Sequence, residues 1–189
     1  WLEAFTKTRF LNSDFKIIET FKSDSPLFDK HIARMKNTAN HFGFPFDMNK
    51  IPTMPVSGIV RILLDKIGHF EIENKTLQPC LSNKVRIAAQ IVNSSDDFLQ
   101  HKTTYRPYFN VDYVNLYDEL FFNEKGELTQ GSRTNIMLQL NGKFYTPPVK
   151  CGLLNGILRQ NLLDERKCTE KILYKQDLLT ASAIYCINS

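Results

Sequence analysis

Residues 117–148 constrain the chain more than any other stretch. The short runs "YDELFFN" (117–123), "GELTQ" (126–130), "TNIMLQL" (134–140) and "KFYTPP" (143–148) follow one another, with turn residues "EKG" and "NG" among them. Asn-Gly supplies the two left-handed positions that a tight hairpin turn requires. A helix cannot absorb breaks at this spacing, so the stretch predicts a meander of strands. One part of it is odd. "GELTQGSRTNI" (126–136) places Gln130, Ser132, Thr134 and Asn135 where a strand would be building core. Small hydroxyl and amide groups there either line a pocket that fixes a polar ligand or mark a solvent-facing edge strand around a Gly-Ser turn. The second is the commoner case.

The segments on either side mix strand and helix signals. "FKIIETFK" (15–22) reads as a strand. In "SDSPLFDKHIARMKNTANHFGF", Asp24 or Ser25 can cap a helix and Pro26 suits its first turn. Phe28, Ile32, Met35, Ala39 and Phe42 recur on one face, and Gly43 ends the helix. A second helix is predicted from Ser57 to Ile67, with Ile59, Ile62, Leu63 and Ile67 inward. "FEIE" (70–73) and "VRIAAQIV" (85–92) read as strands, the latter alternating Val85, Ile87, Ala89 and Ile91. After the meander, "LNGILRQNLLDE" (154–165) predicts a helix opened by Asn155-Gly156, followed by a short helix near 176–182 and a strand "AIYCI" (183–187). The polar "NSSDD" (93–97) is the candidate linker. The class is α+β in two lobes, a small N-terminal one over 1–97 and a larger one over 98–189.

Composition narrows the partners. The net charge is +4 and the basic residues are dispersed, so charge alone implies neither nucleic acid nor a membrane surface. No apolar run approaches the roughly 18 residues needed to span a bilayer, and no secretory signal is visible. Cys80, Cys151, Cys168 and Cys186 form no C-x-x-C pair, which predicts free thiols in a reducing, cytoplasmic setting. His31, His41, His69 and His101 share no metal-ligand spacing, so no metal is assigned.

Three further features carry chemistry. "HKTTYR" (101–106) puts Lys102 beside the linker, where an amine nucleophile needs a lowered pKa or a carbonyl partner. On local grounds alone a solvated lysine is commoner. "PPVKCGLLNGILR" (147–159) feeds a glycine-containing loop into a helix, so the N–H groups of Gly156, Ile157 and Leu158 can meet an anion. An ordinary helix entry looks the same. Arg34 lies on a polar helix face, where arginines are usually solvated.

The order of the blocks resembles the class IV aminotransferase family of pyridoxal phosphate enzymes over essentially the whole chain. The blocks are "FKIIETFK", "LFDKHIARMKNTANHFGFP", "FLQHKTTYRPYF", "YDELFFNEKGELTQGSRTNIML", "YTPPVKCGLLNGILRQNLL" and "DLLTASAIYCINS". Within the family the likeness is greatest to aminodeoxychorismate lyase, notably the lyase half fused behind aminodeoxychorismate synthase. Lys102, Thr103 and Arg106 form a K-T-x-x-R pattern similar to the lyases, and "WLEAFTKTRFL" resembles the lead-in of the fused forms.

The resemblance implies a two-lobed D-amino-acid-aminotransferase-like fold (fold type IV), pyridoxal 5'-phosphate as cofactor, and a homodimer working with or fused to the synthase. Lys102 matches the lysine that bonds covalently to the cofactor, and Arg34 the arginine that binds its phosphate. Gly156, Ile157 and Leu158 match the helix-start amides on the same phosphate, and Asn188 and Ser189 the "NS" of a C-terminal motif near it. Asn135 matches the asparagine after the strand beneath the pyridine ring. Gln130 occupies the place where the family carries a glutamate. The family also continues beyond "NS", so by this resemblance the chain is incomplete at its C-terminus.

The implied reaction cleaves 4-amino-4-deoxychorismate to 4-aminobenzoate and pyruvate, a step of folate biosynthesis. Lys102 would take the ring proton, Thr103 or Lys102 would deliver a proton to the leaving group, and Arg106 is either the partner of a substrate carboxylate or a solvated arginine. A carboxylate beside the ring nitrogen keeps it protonated, whereas the neutral Gln130 stabilises the resulting carbanion less. Transamination should suffer most from that, because the lyase reaction also gains an aromatic ring. A D- or branched-chain amino-acid aminotransferase with the same lysine is the first rival. A non-catalytic homologue is the second.

Overall fold

The computed structural model describes residues 14–76 and 82–189. The lead-in "WLEAFTKTRFL" and Cys80 lie outside the described residues. The described chain forms two compact units, one made of 14–76 and His101–Arg106, the other of 82–100 and Pro107–Ser189.

The first unit is an antiparallel sheet of β1 (Ile17–Lys22), β2 (Ile59–Leu64) and β3 (Phe70–Lys75), with β2 central, and a helix α1 (Phe28–Phe42). Ile32, Met35 and Ala39 of α1 are buried with Ile17, Phe21, Val60, Ile62 and Leu64. Gly43 closes α1 in the left-handed conformation, φ 72°. The N-terminus differs from expectation: Leu27 holds the cap position without a side-chain cap, and Ser25 instead accepts the Leu27 N–H within the preceding turn. The helix predicted over Ser57–Ile67 is not formed; that segment is β2. "IVRILL" is rich in β-branched residues; Val60, Ile62 and Leu64 are fully buried and Leu63 nearly so, with Arg61 partly exposed. Paired on both sides, the segment gains two ladders that a helix would forgo.

The second unit holds two sheets. In one, β4 (Val85–Val92) runs parallel to β5 (Asp118–Asn123), which pairs antiparallel with β6 (Leu128–Gly131). The other has the order β10-β7-β8-β9, from β7 (Asn135–Leu140), β8 (Lys143–Thr146), β9 (Thr169–Glu170) and β10 (Ala183–Ile187). Helices α2 (Asp97–Gln100), α3 (Ile157–Asp164) and α4 (Lys175–Thr180) complete it. Leu120, Leu128, Ile136, Leu138 and Leu173 form one core cluster. Asn141 and Gly142, φ 49° and 75°, make the expected tight turn between β7 and β8. Of the apolar stripe read in β4, Val85 packs against the Leu120 cluster, but Ile87 is 40% exposed and Ile91 63%, while Val92, with Ala88 against it, joins Leu99 and Phe121.

The meander therefore divides between sheets at the "GSR" step, and Asp118 is the reason. This aspartate is fully buried on β5. Its carboxylate accepts the Ser132 N–H at 2.7 Å, the Thr134 hydroxyl at 2.7 Å, the Glu119 N–H at 2.8 Å and the Ser132 hydroxyl. Gly131 lies so close that a Cβ there would stand 2.3 Å from Asp118 Oδ2. The polar density at Ser132 and Thr134 thus satisfies a buried carboxylate, while Arg133 is exposed. Asp118→Ala strands these donors and should cost on the order of 3 kcal/mol or more; urea denaturation measures it.

Candidate active site

The segment carrying Lys102 is laid against β1 in the first unit. The Ile18 N–H donates to the Lys102 carbonyl at 2.9 Å, and the Thr104 N–H to the Lys16 carbonyl at 2.8 Å. Thr103 bridges Ile17. These bonds fix the Lys102 backbone as a strand residue would be fixed. Burial of its amine, followed by the positive charges of Arg34, Arg106 and Arg61, brings the Lys102 pKa down to about 8, against a counter-pull from Glu19. About one amine in ten is then neutral at pH 7, against roughly one in three thousand for an ordinary lysine. That is the state a nucleophilic amine needs.

Glu19 organises this cluster. It is buried, and accepts from Arg34 Nε and Nη2, each at 2.7 Å, with His31 Nδ1 also at 2.7 Å. Burial pushes its carboxyl up, but Arg34, His31 and Lys102 outweigh that and hold it below the usual carboxylate range. Glu19, His31 and Arg61 were not picked out from the sequence. The signal was an acidic residue in phase with Ile17 and Phe21 on an otherwise apolar strand face. Thr103 is buried and its hydroxyl donates to the Tyr105 carbonyl at 3.1 Å. Arg106 is exposed.

In the second unit, Gln130, Asn135, Gly156, Ile157 and Leu158 come together. The Leu154 N–H donates to Gln130 Oε1 at 3.0 Å, and Asn135 Nδ2 donates to the Leu154 carbonyl at 2.8 Å. Gly156 caps α3 with extended backbone and no side-chain cap bond, which leaves the N–H groups of the first turn without an intrahelical acceptor. Its φ of −65° suits any residue; glycine is required because a Cβ would stand 1.9 Å from Asn135 Oδ1. The buried Arg159 donates to Asn155 Oδ1 at 2.8 Å and to the Pro147 carbonyl at 2.7 Å, and pairs with Glu170. Ile187 pairs with Asn135, so Asn188 and Ser189 leave β10 at the end of the sheet where β7 begins.

Other chemistry finds little support. Burial, with Glu127 beside it, pushes the Cys151 thiol up to about 12, and burial raises Cys168 and Cys186 as well. Among the described residues no cluster of three or more His, Cys, Asp or Glu could hold a metal ion, and no helix is long and apolar enough to cross a membrane.

Residues 16–189 match the family described as amino-transferase class IV. The chain belongs to that family. A solved structure from Mesorhizobium loti, titled a "Putative amino-acid aminotransferase", is 29% identical with a TM-score of 0.82, covering 93% of this chain and 95% of that one. The class IV fold, α+β, is thereby established. A Schizosaccharomyces pombe protein named "Putative aminodeoxychorismate lyase" is 31% identical over 83 residues, which is 42% of this chain and 36% of that protein. A Thermotoga maritima protein named "Probable branched-chain-amino-acid aminotransferase" is 24% identical over 169 residues, 75% of this chain and 58% of that protein. The matched part of the chain thus spans 58% of the length of the Thermotoga protein and 36% of the Schizosaccharomyces one.

Two outcomes test the geometry of this class IV chain. The Glu19 carboxylate favours the charged Lys102 ammonium, so Glu19→Gln should move the Lys102 titration below its present midpoint of about 8. The pH dependence of reductive trapping of an aldehyde on the amine reads this. Gly156→Ala must displace Asn135 or the helix entry, and should lower stability by about 1–3 kcal/mol in thermal or urea melts.

Proposed function

We propose that the chain is a pyridoxal-phosphate-dependent lyase that cleaves 4-amino-4-deoxychorismate to 4-aminobenzoate and pyruvate. The observation that carries the cofactor reading is Lys102, an amine with its pKa brought down to about 8 among arginines and fixed in backbone position. The donor set suits the two reactive ends of such a cofactor. In the first unit Lys102 offers a neutral amine to an aldehyde and Arg34 a guanidinium to an anion; in the second, the N–H groups opening α3 offer donors to a phosphate. When bound, the cofactor supplies an electron sink.

The chain's own residues then have these tasks. Lys102 would hold the cofactor's aldehyde end, and as a free amine it would accept the ring proton adjacent to the substrate's amino nitrogen. As its ammonium form it returns a proton while the ether bond to the enolpyruvyl group breaks, so that pyruvate departs and the ring becomes aromatic. The proton work falls to Lys102 because the Thr103 hydroxyl is engaged by Tyr105. Arg106 meets a substrate carboxylate. Gln130 supports the lyase over the transaminase reading: it offers a neutral amide where a carboxylate would hold the ring nitrogen protonated. The same reading carries a cytoplasmic homodimer fed by, or fused to, aminodeoxychorismate synthase.

Aminotransferase action on D- or branched-chain amino acids is the second reading, favoured by the names of the Mesorhizobium and Thermotoga relatives. An assay for 4-aminobenzoate, run beside one with an amino donor and 2-oxoglutarate, separates the two. Release of 4-aminobenzoate, lost by about a thousandfold or more in Lys102→Ala, is the expected result. Repeated turnover to an oxo acid with no 4-aminobenzoate would overturn the lyase reading. Gln130→Glu should raise transaminase side activity in the second assay.

A further inference from the structure

Gln130 and Asn135 sit on different sheets yet hold the same residue. Gln130, on β6, accepts the Leu154 N–H; Asn135, opening β7, donates to the Leu154 carbonyl. Both side chains belong to buried residues. Both backbone groups of Leu154 are therefore fixed from outside its own segment. The next two residues are held as closely. Arg159 grips the Asn155 side chain at 2.8 Å, and Gly156 is pressed against Asn135 without room for a Cβ. Gly156 contributes no cap of its own: it has no side chain, and its extended backbone conformation is open to any residue. An anion site made of backbone N–H groups works only if the donors already point at the place where the charge will sit.

We propose that Gln130 is a positioning residue: together with Asn135 it clamps Leu154, and so fixes the turn that presents the first N–H groups of α3 to the cofactor phosphate. The proposal rests on the cofactor reading given above. It assigns position 130 a task that glutamine and glutamate perform equally, since each offers an oxygen to the Leu154 N–H. Methionine, of similar length, offers none. The clamp also fixes which end of the amide is which. An N–H can meet only the carbonyl oxygen, so the far end of Gln130 is an NH2 donor.

The test titrates the wild-type chain, Gln130→Met and Gln130→Glu with pyridoxal phosphate, reading the visible band of the lysine-bound cofactor, with thermal melting followed alongside. Loss of one buried hydrogen bond should weaken binding about tenfold in Gln130→Met. The band should still form at saturation, because Lys102 is intact. Gln130→Glu should bind within about threefold of wild type, the acceptor being restored. Inorganic phosphate has no ring to meet the far end of residue 130; as a competitor it should also lose about tenfold in Gln130→Met. Asn135→Ala removes the opposite jaw and should weaken phosphate competition similarly, which serves if the methionine variant does not fold. Unchanged phosphate competition in the folded variants, or a glutamate variant as weak as methionine, overturns the clamp alone. A wild-type chain that forms no lysine-bound band overturns the cofactor reading and the clamp with it.

Discussion

A carboxylate buried without a cation beside it must be satisfied by hydrogen bonds, and Asp118 imposes that demand on the second unit. Its oxygens collect main-chain and hydroxyl donors from Glu119, Ser132 and Thr134. To deliver them, the chain must leave β6 at Gly131 and turn sharply before starting β7. That turn is what lets Gln130 and Asn135, only five positions apart, end on separate sheets and reach one residue from two sides. The helix entry at Gly156 inherits its geometry from this arrangement. An uncharged replacement for Asp118 would remove the reason for the turn, and with it the support of everything that leans on it.

The first unit solves the reverse problem. Glu19 is buried too, but its partners are cations and an imidazole. It gives the Lys102 amine a counter-charge that is shared with Arg34. Sharing matters: a carboxylate devoted to Lys102 alone would hold the amine charged, whereas its removal would take away the counter-charge of both Lys102 and Arg34. The result is an amine between the two extremes, close enough to neutrality to attack a carbonyl.

Much of this was legible in residue patterns. The hairpin turn at Asn141-Gly142 and the helix ended by Gly43 each follow from glycine chemistry that has few alternatives, whereas Gly156 is required by Asn135, a neighbour distant in sequence. Ile59–Leu64 departs from its expected helix because "IVRILL" satisfies helical and strand spacing alike over so short a run, and only its pairing on both sides decides. The stripe on β4 alternates as a core strand does, yet alternation cannot say which side is covered. Lys102 was found through a pattern of neighbours in sequence, while Glu19 and Arg61, which set its charge state, lie far from it along the chain. The polar turn stands out in the sequence but its purpose does not, because Asp118 accepts its bonds from a position more than a dozen residues earlier.

The attachment of residues 101–104 to β1 has a consequence for the order in which the protein is made. The Lys16 N–H bonds to the Thr104 hydroxyl, 88 positions away. Contacts of such long range close late, because their loop entropy must be met before they contribute. Until they close, Lys102 is an ordinary, protonated, solvated lysine. A chain still emerging from the ribosome, or one unfolded, therefore carries no activated amine with which to capture stray aldehydes, and the reactive group comes into being only with the completed fold of its unit.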